Sequence, residues 1–186
     1  MNTLEKPKVV EALSIGAPAL SELLTGAALH AHAKTDLPAL NAIRLKVENT
    51  SLVAEATDRY RLIKGSIPVF IVENESGTLA ATIISLSDVK RVITLAKGLD
   101  KRAAITLTRS GDMLSVSSGG DSLTLSVLDS NFPDFKPILE AAGEPAALTS
   151  IYFNPKFYGD LSKLAGKAGV LVTFGVSELK PMKFTI

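Results

Sequence analysis

The sequence predicts an α+β fold built from a repeated β-α-β-β-β unit, with antiparallel sheets and the helices on one face. Three observations carry this reading. Short runs alternate apolar and polar residues; longer runs place apolar residues at helical spacing; and the order strand, helix, then two or three strands recurs three times along 186 residues. Identity between the copies is weak, so what repeats is the pattern.

In the first copy Val10 to Ile15 reads as a short strand, and Pro18, Leu20, Leu23, Leu24, Ala27 and Ala31 recur at helical spacing until Asp36, Leu37 and Pro38 end the helix. Ile43, Leu45 and Val47 alternate with Arg44, Lys46 and Glu48, and a turn at Glu48, Asn49 and Thr50 leads into Leu52 to Ala56, a half-buried hairpin. Arg59, Tyr60, Arg61 and Leu62 read as a third strand, followed by Pro68 and a loop from Glu73 to Gly77. The second copy starts at Leu79 to Ile84. Ser87 is its expected N-cap, Val89, Val92, Ile93 and Ala96 its helix face, and Gly98 its end. Ile105 with Leu107, Leu114 with Val116, and Leu123 with Leu125 and Val127 give three strands joined by small polar connections. The third copy is shorter: a strand at Leu148 to Phe153, Asn154 capping a helix with Pro155 at its first position, a stop at Gly166 or Gly169, then strands around Val170, Val172 and Phe174 and around Met182, Phe184 and Ile186. The expected domains are an N-terminal extension over 1–9, a two-unit domain over 10–139, a linker over 140–147 and a one-unit partial domain over 148–186. Half a domain leaves an open strand edge, so a partner is expected, most simply a second copy of the chain.

Composition narrows the function. With 46% apolar and 21% charged residues the chain can bury a sizeable core, and 20 Lys+Arg against 19 Asp+Glu give a net charge of +1, which excludes a strongly basic nucleic-acid binder. Any DNA contact must use a local face. There is no Cys, so disulfides, thiolate nucleophiles and thiolate metal sites are out. Glu5, Lys6 and Lys8 interrupt the start, no signal peptide is expected, and no run reaches the length of a membrane span. A cytoplasmic protein without cofactors is expected. The two histidines, His30 and His32, lie two apart with no carboxylate cluster to complete a metal site. No triad, phosphate loop or acid–base pair is present, and Gly119-Gly120 falls in a hairpin connection, so an enzyme is not expected.

Two features carry candidate function. Lys90, Lys97 and Lys101 are spaced by seven and four, and Lys156, Lys163 and Lys167 repeat that spacing, which keeps one helix face. Such stripes suit phosphates contacted without base readout; they are equally what solvent-facing helix positions carry, and the last member of each set can lie past the helix end. The segment Ala56, Thr57, Asp58, Arg59, Tyr60, Arg61, Leu62 is dense in polar groups. Either Asp58 caps a turn while Tyr60 and Leu62 face the core, or Tyr60 and Leu62 rim a groove for an apolar peptide anchor with Arg59 or Arg61 beside it. Spacing does not decide between them.

The stretch Leu37-Pro38-Ala39-Leu40-Asn41-Ala42-Ile43-Arg44-Leu45, followed by Ala56-Thr57-Asp58-Arg59-Tyr60-Arg61-Leu62, resembles the middle domain of bacterial beta sliding clamps, the beta subunits of DNA polymerase III, with the actinobacterial version nearest. Asn131-Phe132-Pro133-Asp134-Phe135-Lys136-Pro137-Ile138-Leu139 resembles the segment that ends that domain, and Tyr152-Phe153-Asn154-Pro155-Lys156-Phe157 the helix start of the family's last domain. The resemblance implies the DNA clamp fold and a processivity factor: a ring with helices inside and sheet outside, sliding on duplex DNA without sequence specificity. It implies contacts to DNA polymerase and other proteins carrying clamp-binding motifs, and leaves a clamp loader open as a further partner. Carried over residue by residue, the family's peptide pocket falls on Leu40, Thr57, Arg59, Tyr60, Arg61, Leu62, Pro133, Pro137 and Ile138, and the DNA-facing cations on Lys90, Lys97, Lys101, Lys156, Lys163 and Lys167.

The chain departs from the family in places. Arg59 stands where many members have Gly, and Pro137 where Arg or Lys is frequent. The resemblance covers the middle domain and part of the last, as in a shortened clamp, so the usual head-to-tail interface and the pocket wall supplied by the family's final strand are not expected. Family rings hold twelve units; at three per chain a homo-oligomer of four copies would supply them, with a dimer as the smaller option. The alternative is a ringless clamp-like module that binds clamp-interacting peptides, or a host clamp or loader, as competitor or regulator.

Overall fold

The computed structural model describes residues 11–71, 79–141, 154–165, 171–173 and 183–186. The chain divides into two compact units, Met1–Phe132 and Pro133–Ile186.

The first unit holds β1 (Glu11–Gly16), α1 (Ala17–Ala28), β2 (Ala42–Glu48), β3 (Ser51–Thr57), β4 (Leu62–Pro68), β5 (Phe70–Ile71), β6 (Thr82–Ser85), α2 (Leu86–Gly98), β7 (Ala104–Ser110), β8 (Met113–Ser118) and β9 (Asp121–Ser126). The expected repeat is present as β1-α1-β2-β3-β4 and β6-α2-β7-β8-β9. The repeats are interlocked. One antiparallel sheet has the order β5-β1-β7-β8-β9 and the other β4-β3-β2-β6, so each repeat lends its first strand to the sheet of the other. Six residue pairs join β1 to β7, from Glu11 opposite Arg109 to Gly16 opposite Ala104, and four join β6 to β2. The first N–H of α1, at Ala17, also donates to the Ala103 carbonyl of the second repeat (2.9 Å).

Alternation dictates the core. Leu13 and Ile15, Ile43 and Leu45, Leu52, Ala54 and Ala56, Ile105 and Leu107, and Leu114 and Val116 meet Leu20, Leu24 and Ala27 of α1 and Val89, Val92 and Ala96 of α2 in one cluster. The helices pack against each other; α1 lies on β4, β3 and β1, and α2 on β6 and β2. Strand β3 is covered on both sides, since Val53, Glu55 and Thr57 are buried as well. After β9 the chain passes from one sheet to the other, the Leu128 N–H donating to the Ile83 carbonyl (2.8 Å), and Phe132 comes to lie under the Arg44 guanidinium, 4.8 Å from the ring centroid.

Several expectations are corrected. The first helix ends at Ala28, eight residues before Asp36, because the polar run after it folds into turns in which His32 N–H bonds the Leu40 carbonyl and Asn41 N–H the Leu37 carbonyl. The N-cap of α2 is Ser85 rather than Ser87; its hydroxyl accepts from the Asp88 N–H (3.1 Å), which lets Leu86 and Val89 reach the core. Arg59 to Arg61 form a turn, and the strand begins only at Leu62.

In the second unit α3 (Lys136–Ala141) was not foreseen, although Asp134 Oδ1 accepts from the Lys136 N–H (3.0 Å) at its start. The helix expected after Asn154 is α4 (Pro155–Ala165), with Asn154 Oδ1 accepting from the Lys156 N–H (3.0 Å). Strands β10 (Leu171–Thr173) and β11 (Lys183–Thr185) pair antiparallel, Val172 opposite Phe184. The strand expected at Leu148 to Phe153, the stops at Gly166 and Gly169, and the loop Glu73 to Gly77 lie outside the described residues.

Candidate functional site

The connection between β3 and β4 is a turn, Asp58 to Arg61, closed by the Asp58 N–H on the Arg61 carbonyl (3.3 Å). Asp58 Oδ1 accepts from the N–H groups of Tyr60 and Arg61, both at 3.1 Å, as an Asp at the start of a turn does. Thr57 Oγ1 donates to the Arg61 carbonyl (2.8 Å) and accepts from the Arg59 N–H (3.2 Å). The Arg61 guanidinium pairs with Asp58 Oδ2 through Nε (2.9 Å) and donates from Nη2 to the Leu29 carbonyl (2.8 Å), tying the turn to the end of α1.

Arg59 and Tyr60 are left facing solvent. Tyr60 is 82% exposed, which overturns the reading that buries it. Arg59 is exposed at φ +81°. The other hairpin turns of this unit place residues suited to positive φ there: Asn49 between β2 and β3, Gly111 between β7 and β8, and Gly119 between β8 and β9. Among the described residues, only Arg59 is of a type that rarely adopts this conformation.

The structure thus brings Thr57, Arg59, Tyr60, Arg61 and Leu62 together, Leu62 opposite Thr57 in the ladder. Leu40 is half-buried in the connection from α1 to β2, whose first residue, Leu29, Arg61 touches. Pro133, Pro137 and Ile138 belong to the second unit; Pro133 is half-buried, Pro137 exposed, and Ile138 42% exposed on α3.

Of the lysines, Lys90 and Lys97 are exposed on α2, two turns apart, with no ion-pair partner among the described residues. Lys101 lies past the helix, in the turn where the Ala103 N–H bonds the Asp100 carbonyl. Beside Lys90, Arg91 pairs with Asp88 (2.8 Å). Helix α1 carries Glu22 and no Lys or Arg, so in this unit the cationic helix face is that of α2. On α4 Lys156 is exposed and Lys163 pairs with Asp160 (2.9 Å). Lys167 lies outside the described residues.

One charged group beside the turn escaped the sequence reading. Glu55, 1% exposed on β3, takes Arg44 Nε at 2.7 Å and Lys46 Nζ at 3.0 Å; Lys46 also reaches Glu48 (2.9 Å), which takes Lys64 (2.7 Å). Counting outward from the Asn49 turn places Arg44 opposite Glu55, so this network had a signal in the hairpin register. Hydrogen bonds from Lys64 and Lys46 hold the Glu48 carboxyl below the usual glutamate range. Burial pulls the Lys46 ammonium down, but its bonds to Glu48 and Glu55 outweigh this and leave it above the ordinary lysine value. On the α1–β2 connection, the hydrogen bond from His32 (2.9 Å) lowers Asp36. Among the described residues no three His, Asp or Glu side chains cluster to hold a metal, and no helix is long and apolar enough to cross a membrane.

The sequence profile of the DNA polymerase III beta subunit, central domain, matches residues 15–134. No curated protein matches the sequence. Among solved structures, the DNA polymerase III beta subunit of Thermotoga maritima superposes with a TM-score of 0.61 at 20% identity, over 75% of this chain and 35% of that one. The sliding clamp of Pseudomonas aeruginosa bound to griselimycin gives 0.61 at 21% over 74% and 36%, and the beta sliding clamp of C. crescentus 0.58 at 22% over 68% and 32%. At these identities the likeness is one of fold, and this chain spans about a third of the length of those clamps.

Proposed function

The chain belongs to the DNA polymerase III beta-subunit family through that family's central domain, and from this we propose that it is a sliding-clamp-like processivity factor of the cytoplasm, which encircles duplex DNA as an oligomer and tethers a DNA polymerase by a short peptide. The observation that carries the reading is the interlocked pair of repeats, with α1 packed on α2 and the exposed ammonium groups of Lys90 and Lys97 on α2. A cationic helix surface suits phosphates in any sequence, and its few charges suit a protein kept on DNA by topology rather than by tight binding. Weak, salt-sensitive affinity for linear duplex follows. Lys156 of the second unit, and Lys163 beside its Asp160 partner, would serve as further phosphate contacts, and the turn around Tyr60 would take the peptide.

Assembly tests this. Light scattering over a micromolar concentration series should give the mass of about four chains, which at three repeat units each equals the family's twelve. A stable monomer at every concentration would rule out the ring and leave a ringless module that binds clamp-interacting peptides.

A further inference from the structure

The turn that presents Tyr60 also presents a cation in a strained position. A long side chain such as arginine is strained at positive φ, and such strain persists where the surroundings over-determine it. Here they do: Thr57, Asp58 and Arg61 together fix every residue of the turn, and Arg61 anchors it to Leu29. The two arginines have separate roles. The charge of Arg61 is matched by Asp58 at 2.9 Å, whereas Arg59 has no ion-pair partner among the described residues and is exposed beside a Tyr that is 82% exposed. An arginine and a tyrosine on a rigid tip are the residue types that dominate protein contacts.

We infer that Arg59 sets the specificity of this site, selecting peptides that carry Asp or Glu next to the apolar side chain that docks at Tyr60. The inference rests on the peptide-binding reading of the same turn. Charge complementarity argues for it: Asp58 and Arg61 cancel, so the tip is left with one unmatched positive charge, and a carboxylate beside the anchor completes a bidentate pair. A lone arginine beside an aromatic ring suits a peptide better than the DNA backbone, which is met by several cations in a row.

The test uses the full 186-residue chain and three fluorescent octapeptides with one Leu-Phe anchor, flanked by Asp, Ser or Lys, read by anisotropy at low and high salt. The Asp peptide should bind about threefold tighter than the Ser peptide and the Lys peptide weaker than both, a spread within reach of one partly exposed ion pair and reduced by salt. Arg59→Gly, which suits the turn, should bring the Asp-to-Ser ratio to about one, and Arg59→Glu should invert the ranking. Arg59→Asn, also tolerant of positive φ, gives the same reading if the glycine variant loosens the turn. An unchanged ratio in these variants, or binding by the parent without preference, overturns the inference and leaves the peptide site standing. Binding of none of the peptides overturns the site reading and the inference with it. Loss of duplex-DNA affinity in Arg59→Gly with an unchanged peptide ratio makes Arg59 a phosphate contact instead.

Discussion

A carboxylate 1% exposed in mid-strand is tolerated only where cations meet it, and Glu55 is met by two. Arg44 and Lys46 stand on the neighbouring strand, and Arg44 also lies over Phe132, so one acidic residue helps to fix both the hairpin register and the segment that leaves β9. Truncation to Ala takes from both cations the carboxylate they share. Glu55→Ala should lower unfolding free energy by about 3 kcal/mol in a denaturant titration, the low end for breaking a buried pair because both cations keep some access to water. Glu48 gives a pH signature. Its folded pKa lies below the ordinary value of 4.5, so its contribution is present above that value and is lost as pH falls through the folded one. Denaturation midpoints should therefore drop between about pH 5 and pH 3, and Glu48→Gln should flatten that slope. At this scale the sequence spoke unevenly. Asp58 as a turn cap and the family's Gly at position 59 were both legible, and φ +81° supplies the physical reason for that Gly. The direction of Tyr60 stayed open between core and groove rim, because a four-residue turn and the start of an alternating strand look alike without the hydrogen bonds of Thr57.

Among the elements, those with clean periodicity were legible to within a residue or two: β2, β3, β7, β8 and α2 fall where alternation and helical spacing put them. Boundaries set by single hydrogen bonds were not, as with the end of α1 and the Ser85 cap. Strand β5 is only two residues long, too short to alternate, and α3 is a single short stretch around Ile138. The approach of α1 to β4 has a sharp local cause. Gly65, opposite Ala54, has no side chain, and a Cβ there would come within 2.9 Å of Leu23 Cδ1. The tip of a leucine can swing aside for a methyl group but not for an isopropyl group. Gly65→Ala should therefore cost under about 1 kcal/mol, while Gly65→Val should cost about 2 kcal/mol by overpacking the helix–sheet contact, both read from chemical denaturation.

For the whole molecule, the repeat was legible as a pattern, but its interlocking was not. Nothing in the periodicity of Val10 to Ile15 says that this strand joins the sheet of the second repeat, since pairing between distant strands is decided by tertiary packing. The exchange of β1 and β6 makes the two repeats one cooperative body, which is what a rigid segment of a ring requires. Encirclement is the central claim, and it can be tested without a loading factor. Linear duplex with open ends, incubated with the protein and then blocked at both ends with bulky protein caps, should retain the chain through a high-salt gel-filtration column, while uncapped duplex should lose it. Equal loss from capped and uncapped DNA would contradict a ring around the duplex.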